Sequence, residues 1–299
     1  MSRAAESSRR GQDDLAPLYV EVRSPAATWI VRRECAEAVG RGDADVLFSE
    51  WGGGAARAGS GRGPMARFAL AGLPAVGKRP LHGGLLGPLL GRLYLGNRRA
   101  LDQVRAALTL ERAGVATPAV LAVGSARAFG PFCAQAIVTR RLEGAQNLYE
   151  AACGAPERGR RGKVLFLCAD LLRRMHDAGF LHHDLNVSNL VLERGPEGET
   201  LHVVDLDRGR FRRTVSARER LGNLARLLRS YEKWIAGKVR LSRREEWRFL
   251  RVYAGRDRKL ARFLAEGLAR YRTRLGLRRL RWRLTSAAGS EDRLAGPLQ

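Results

Sequence analysis

The sequence has few lysines, few cysteines and no long apolar segment. Only five of its 54 basic residues are lysine. The longest apolar stretches fall well short of the roughly 20 residues that cross a bilayer, and no secretory or twin-arginine signal follows the N-terminus. We therefore expect a cytoplasmic protein without a transmembrane helix. The cysteines lack the spacing of a metal or redox site, so we expect them to be reduced: Cys35, Cys133, Cys153 and Cys168.

Positive charge dominates the composition. The net charge is +24, and most of it comes from arginine. A field of this sign favours anionic partners, namely nucleic acid, nucleotides or a membrane surface bearing phosphate groups, and does not distinguish among them. The chain is 45% apolar with 34 glycines, which excludes wholesale disorder. No repeat of fixed period is present, which excludes a solenoid.

The distribution of apolar residues predicts an α+β fold in two parts. Residues 1–16 are polar and are expected to be loose. Short apolar runs separated by glycine turns predict a strand-rich N-lobe over 17–144, and helical patterns predict a C-lobe over 145–285. A loose tail is expected over 286–299.

Three local patterns place elements within these lobes. Apolar residues at helical spacing predict a helix over 97–113 that ends at Gly114. A second apolar stripe, from Val164 to Met175, predicts a helix that ends near Gly179. Two short apolar runs, 190–192 and 201–204, flank a Gly-Pro-Glu-Gly turn and predict a hairpin.

The stretch that follows the second helix carries the most specific pattern. His182-x-Asp184 with Asn189 five residues beyond the aspartate, then the hairpin and Asp205, resembles the catalytic loop and metal site of protein-kinase-like phosphotransferases. The resemblance implies that Asp184 accepts the hydroxyl proton and that Asn189 and Asp205 hold magnesium. His182 is expected to brace the loop, and no role is assigned to His183 or His202. The alternative is that the Asp and Asn side chains only form turns, caps and an arginine ion pair.

Upstream residues supply candidates for phosphate binding. Gly61 and Gly63 lie in a glycine run that either covers phosphates or forms a flexible turn. Lys78 follows a short apolar run, and lysine is rare in this chain, which suggests a need for a compact ammonium on nucleotide phosphates. A solvated surface lysine is the alternative reading of Lys78.

Taken together, these motifs resemble the bacterial lipopolysaccharide core kinase family of the Kdo/WaaP type, and within it the 3-deoxy-D-manno-octulosonic acid (Kdo) kinases. The likeness runs from about residue 60 to 234 and includes the stretch from Asn223 to Ser230. It rests on a set of motifs in order: Gly61-Arg62-Gly63, Lys78 to Gly83-Gly84-Leu85, Leu110 to Pro118, His182 to Asn189, and Asp205-Leu206-Asp207-Arg208-Gly209.

The resemblance implies a protein-kinase-like, two-lobed fold and a kinase that uses ATP and Mg²⁺. It implies transfer of the γ-phosphate to a sugar hydroxyl of Kdo-lipid A, with the protein attached peripherally to the cytoplasmic face of the inner membrane. No specific nucleic acid partner is expected. Two other functions stay open: the same chemistry on heptose, another small molecule or a protein, and a catalytically silent kinase-like scaffold.

The sequence departs from the kinase pattern at two points. Gln103 occupies the position of the helix glutamate that pairs with the strand lysine, so Asp102 or Glu111 is an alternative partner. Proline follows Lys78 and Arg79, so either basic residue can meet the phosphates, with Lys78 as the first choice and Arg79 as the second.

Overall fold

A computed structural model describes residues 17–48, 65–79, 93–95, 98–130, 132–153, 158–196 and 198–291. The chain divides into two compact units. The first contains residues 1–143 and a return segment, 204–207, and the second contains 144–203 and 208–299. The N-terminal segment 1–16 and the candidate phosphate-binding glycines, Gly61 and Gly63, lie outside the described residues.

An antiparallel sheet forms the body of the first unit. Its described strands are β1 (Tyr19–Arg23), β2 (Thr28–Arg32), β3 (Met65–Leu70), β4 (Leu73–Lys78), β5 (Leu93–Leu95), β6 (Val120–Phe129) and β7 (Phe132–Arg140). They run in the order β1-β2-β6-β7-β4-β3, and β5 also pairs with β7. Strand β4 pairs with the C-terminal half of β7, and β5 pairs with the beginning of β7.

Alternate side chains of this sheet enter two different apolar clusters, as the period of a β-strand requires. Trp29 and Val138 belong to one cluster with helix α1 (Ala36–Gly40). Their strand neighbours Ile30 and Ile137 belong to the other, which includes helix α2 (Arg98–Arg112). The predicted helix over 97–113 is thus confirmed.

Helices dominate the second unit, and the α+β prediction is confirmed. The predicted hairpin is present as β10 and β11, with the short strand β8 paired to β10. The strands are β8 (Gln146–Asn147), β9 (Phe180–His182), β10 (Leu190–Gly195), β11 (Gly198–Val203) and β12 (Gly209–Phe211). The helices are α3 (Leu148–Cys153), α4 (Arg158–Asp177), α5 (Ala217–Trp234), α6 (Arg243–Ala254) and α7 (Arg258–Glu291).

Capping boxes define where α5 and α6 begin. Ser216 accepts a hydrogen bond from the backbone of Glu219, whose carboxylate accepts one in return from the backbone N–H of Ser216. Ser242 and Glu245 repeat the arrangement at the start of α6. Each box satisfies backbone donors that a helix N-terminus otherwise leaves without partners.

The last helix is longer than the sequence predicts. A loose tail is expected from residue 286, but α7 continues to Glu291. The added segment contains two alanines, which are strong helix formers, and no proline. Residues 292–299 lie outside the described part of the chain. No helix within the described ranges is both long enough and apolar enough to span a membrane.

Candidate active site

Helix α4 and strand β9 precede the candidate catalytic loop in the chain. The helix ends at Asp177, and Gly179 has φ 83°, a left-handed backbone that favours glycine. The carbonyl of Gly179 accepts a hydrogen bond from Arg212 N at 2.8 Å. This turn starts β9, whose last residue, His182, precedes the loop 183–189.

The loop is held by its own polar side chains. Buried His182 accepts a hydrogen bond at Nδ1 from Asp184 N, at 3.2 Å, which is the bracing role predicted for it. Asn189 Nδ2 donates to the carbonyl of Asp184 at 2.9 Å, and so does Asn186 Nδ2. Asn186 also caps the following helical turn, because its Oδ1 accepts from Ser188 N at 2.8 Å and Asn189 N at 3.2 Å. Asp184 and Asn189 are thereby fixed in relation to each other.

Helix α5 supports the loop at both ends. Asn223 Nδ2 donates to the carbonyl of His182 at 2.8 Å, and Ser230 Oγ accepts from Val187 N at 3.2 Å. Asn223 and Ser230 are seven residues apart, so they lie two turns apart on the same helix face. Neither residue is among the site residues predicted from the sequence, although both lie in the stretch that resembles the kinase family.

A buried polar chain extends this support into the helical core. The side chain of Asn223 accepts from His176 Nε2 at 2.9 Å, so His176 Nδ1 is left to accept from the hydroxyl of Tyr253 at 2.5 Å. Burial of the ring lowers the pKa of His176 to about 4. A neutral imidazole with its proton on Nε2 fits this chain of donors and acceptors.

The other candidate residues lie in the first unit. Lys78, the last residue of β4, places its Nζ 2.7 Å from Oδ1 of Asp205, and both side chains are about one-third exposed. Asp205 has φ 64°, a left-handed conformation that asparagine and aspartate tolerate better than most residues. The next residue, Leu206, packs against the cluster that contains Leu101 and Val104 of α2. This apolar contact holds the segment that carries Asp205.

Strand β12 returns the chain from Asp205 to the start of the catalytic loop. It pairs with β9, and Gly209 lies opposite His182. A Cβ atom at residue 209 would overlap the ring of Phe180, so glycine alone permits this pairing. This contact gives a physical reason for the glycine of the Asp-x-Asp-x-Gly motif.

The structure shows which carboxylate lies against Lys78 in place of a helix glutamate. Glu111 binds Arg32 at 3.0 Å, and Asp102 binds Arg105 at 3.0 Å on its own helix. Gln103 is buried and cannot supply a charge. Of the carboxylates in the described ranges, Asp205 is the one that contacts Lys78.

The predicted site residues thus form two local groups. Asp184 and Asn189 lie together in the second unit, and Lys78 and Asp205 lie together in the first. Convergence of the two groups around one nucleotide stays a prediction.

Oxygen donors suited to a magnesium ion are present in both groups. Asn189 uses its amide nitrogen on the carbonyl of Asp184, so its Oδ1 is the atom left for a hard cation, and Asp205 supplies a carboxylate. The described ranges contain no cluster of three or more His, Cys, Asp or Glu side chains that could hold a metal by themselves.

Comparisons with known proteins identify the family to which the sequence is similar. The sequence matches the lipopolysaccharide kinase (Kdo/WaaP) family over residues 88–253, which is more than half of the chain. The 3-deoxy-D-manno-octulosonic acid kinase of Stenotrophomonas maltophilia is 34% identical over 204 residues, 66% of this chain and 78% of that protein. The enzyme of the same name from Vibrio parahaemolyticus is 27% identical over 179 residues, 58% of this chain and 71% of that protein.

A solved structure extends the likeness to the fold. The structure of WaaP in complex with acyl carrier protein aligns with a TM-score of 0.54 and 26% identity, covering 74% of this chain and 87% of WaaP. The resemblance to the Kdo/WaaP kinases, first seen in the sequence motifs, is confirmed. The chain therefore belongs to the lipopolysaccharide kinase (Kdo/WaaP) family and is a phosphotransferase that acts on a sugar hydroxyl.

Proposed function

We propose that this chain transfers the γ-phosphate of ATP to a hydroxyl of the 3-deoxy-D-manno-octulosonic acid in Kdo-lipid A. The choice of this acceptor is supported by two relatives that are named 3-deoxy-D-manno-octulosonic acid kinase. The single observation that carries the catalytic assignment is the loop 183–189, in which the Asn189 amide fixes the backbone of Asp184. Such a loop holds in place the backbone that carries the carboxylate, which favours catalysis by positioning.

The reaction needs one proton acceptor and one phosphoryl acceptor. The carboxylate of Asp184 hydrogen-bonds the sugar hydroxyl and takes its proton as the hydroxyl oxygen attacks the γ-phosphorus. A new oxygen–phosphorus bond forms, the bond from the γ-phosphorus to the β–γ bridging oxygen breaks, and its electron pair leaves with ADP. The proton then returns to solvent from Asp184.

Cationic groups counter the charge of the triphosphate. Lys78 binds phosphate oxygens that are not transferred, and the residues Gly61 and Gly63 supply backbone donors over the phosphates. Asn189 and Asp205 would hold Mg²⁺, which supplies positive charge to the phosphate oxygens.

A direct assay tests the assignment. Purified protein is incubated with ATP and Kdo-lipid A, and mass spectrometry follows the gain of one phosphate on the lipid. We expect Asp184→Asn to lower kcat by about 10²–10⁴-fold, the usual contribution of a general base, with unchanged ATP affinity. Asp205→Asn should instead weaken metal-dependent nucleotide binding. Asp43→Asn, a change in a carboxylate of the first unit that is 40% exposed, is the matched control.

Each alternative function has its own signature in this assay. Wild-type protein that transfers phosphate to a heptose-containing acceptor but not to Kdo-lipid A would refute the acceptor. No transfer to any acceptor, with unimpaired folding, would indicate a silent scaffold. Full activity of both aspartate variants would refute the site.

Attachment to the inner membrane is the cellular setting that fits this acceptor. Helices α5 to α7 are rich in arginine, and Trp234 and Trp247 are large exposed apolar side chains. Lys233 lies over the ring of Trp234, with Nζ 4.6 Å from its centre. Tryptophan beside cationic residues suits the boundary between lipid headgroups and water. Sedimentation with anionic vesicles should decline as salt rises and weaken in a Trp234→Ala variant; salt-independent sedimentation would contradict an electrostatic attachment.

A further inference from the structure

Arg210 forms a hydrogen bond with His183, the residue that precedes the proposed catalytic base in the chain. Arg210 Nε donates to His183 Nε2 at 2.8 Å, and both side chains are exposed. His183 precedes Asp184 in the loop, and Arg210 lies on β12, which pairs with β9 immediately before that loop. The two elements therefore hold a guanidinium against the residue that precedes Asp184 in the chain, within the second unit.

The histidine in this pair accepts rather than donates. Partial burial and the positive charges of Arg210, Arg226 and Arg212 lower the pKa of His183. The ring is therefore neutral at physiological pH, and its proton lies on Nδ1 because Nε2 receives the hydrogen bond from Arg210. Arg210 is held in place without losing any of its positive charge.

Several other arginines of the second unit bind carboxylates, which neutralise their charge: Arg161 with Glu245, Arg220 with Asp177, and Arg272 with Glu246. Within the described ranges, Arg210 has no carboxylate partner. Its Nε is engaged by His183, and the two Nη groups at the end of its planar fork stay open to a ligand.

Neighbouring arginines add to this local charge. Arg226 lies three residues beyond Asn223 on the helix that supports the catalytic loop, and it is exposed. Arg212 follows two residues after Arg210, and its nearest described carboxylate is Glu219 at 3.5 Å, which the capping box of α5 already engages. The surface around His183 therefore carries several positive charges.

We propose that Arg210, positioned by His183, binds the carboxylate of the acceptor sugar and so selects a sugar acid for phosphorylation. This assignment rests on the proposed function and names the acceptor contact of that site. The end of a guanidinium matches a carboxylate through two parallel hydrogen bonds, which a neutral sugar cannot replace. Arg226 and Arg212 supply long-range attraction and no specific contact.

The position of Arg210 favours the carboxylate over the phosphates of lipid A. The acceptor hydroxyl must come within hydrogen-bond reach of Asp184. A group bound by the arginine that contacts the adjacent residue therefore belongs to the same sugar or to its immediate neighbour. A carboxylate on the reacting sugar meets this requirement without any constraint on the lipid.

Steady-state kinetics with detergent-dispersed acceptor test this contact. Loss of a charged hydrogen-bonding pair predicts that Arg210→Gln raises the KM for Kdo-lipid A by about 10–100-fold and leaves the KM for ATP unchanged. Arg210→Lys, which keeps the charge but loses the fork, should fall between wild type and Arg210→Gln. Arg23→Gln removes one exposed charge from β1 and is the matched control.

Modified acceptors identify the group that is bound. An acceptor whose carboxylate is converted to a carboxamide should raise the KM of the wild type and have no further effect on Arg210→Gln. An acceptor whose lipid A phosphates are removed should leave the penalty of Arg210→Gln intact. A penalty that persists with the carboxamide and disappears with the dephosphorylated lipid would mean that Arg210 binds phosphate, and the proposal would be wrong.

The role of His183 and the dependence on the proposed function have separate readouts. His183→Ala should raise the acceptor KM in the wild type but not in the Arg210→Gln background, and additive effects would contradict a positioning role. Calorimetric titration with the free sugar acid measures the contact without turnover. One outcome is that the wild type binds the free sugar acid, that Arg210→Gln does not, and that the wild type transfers no phosphate to Kdo-lipid A. This outcome would refute the proposed reaction but not the carboxylate site. A wild-type affinity and KM in Arg210→Gln would refute the carboxylate site alone.

Discussion

Acidification is expected to destabilise the protein through His176, because burial disfavours the charged form of this histidine. Its ring donates to Asn223 and accepts from Tyr253, and a second proton on Nδ1 would place a positive charge in this buried position. Burial lowers the pKa of His176 from 6.5 to about 4. The unfolded chain therefore binds this proton at a higher pH than the folded protein does.

The sign and size of the effect follow from this difference. Above pH 6.5 both states are neutral at this residue, and His176 adds no pH dependence. As the pH falls from 6.5 towards 4, only the unfolded state takes up the proton, so the free energy of unfolding decreases. With about 1.4 kcal/mol for each pH unit, the loss approaches about 2 kcal/mol at pH 5 and about 3 kcal/mol at pH 4.

Urea unfolding at pH 7 and pH 5 measures this change, with wild type compared against His176→Gln. Glutamine can still donate an amide hydrogen but cannot titrate. The variant should be less stable at pH 7 yet lose about 2 kcal/mol less than the wild type between the two pH values. Acidic groups contribute equally to both proteins and cancel in the comparison. Equal losses in the two proteins would show that His176 is not the residue that responds.

Three further substitutions test the supports of the loop. Gly209→Ala should disrupt the pairing of β12 with β9 and reduce kcat at least 100-fold. The control is Gly222→Ala, which should retain activity because a Cβ atom there meets open space. A fully active Gly209→Ala would contradict the steric reason for this glycine. Asn223→Asp replaces the donor to the carbonyl of His182 by an acceptor, so urea unfolding should show a free energy of unfolding that is lower by about 3 kcal/mol. A decrease below about 1 kcal/mol would mean that other groups can replace this contact. Ser216→Ala removes the cap of α5 and should lower the free energy of unfolding by about 1 kcal/mol without changing the KM for ATP.

The catalytic loop was the most predictable part of the site because its geometry is local. Asp184 and Asn189 are five residues apart, and the spacing of the motif restricts the loop to a few conformations. The sequence did not assign a role to Asn186, although an asparagine before a helical turn is a frequent cap. That cap is a signal within reach of sequence reasoning.

The supports of the loop were less predictable because they depend on distant packing. Asn223 reaches the carbonyl of His182 across 41 residues of sequence, and Ser230 reaches Val187 across 43. A polar residue within an amphipathic helix is usually solvated, so the pattern of α5 gives no sign that this face lies against a loop. The return of residues 204–207 to the first unit is equally hidden, since it depends on where Leu206 packs.

Gln103, which the sequence patterns align with the helix glutamate of kinases, is neutral, and this affects how Lys78 is held. With Gln103 uncharged, the carboxylate that contacts Lys78 in the described structure is Asp205, which is also the proposed metal ligand. A triphosphate offers Lys78 a new anionic partner, so nucleotide binding can release Asp205 for a cation without leaving either charge uncompensated. A permanent glutamate on α2 would hold Lys78 independently of ligand. In this chain, by contrast, the strand lysine and the aspartate are coupled, and loss of either residue should weaken binding of nucleotide together with its metal.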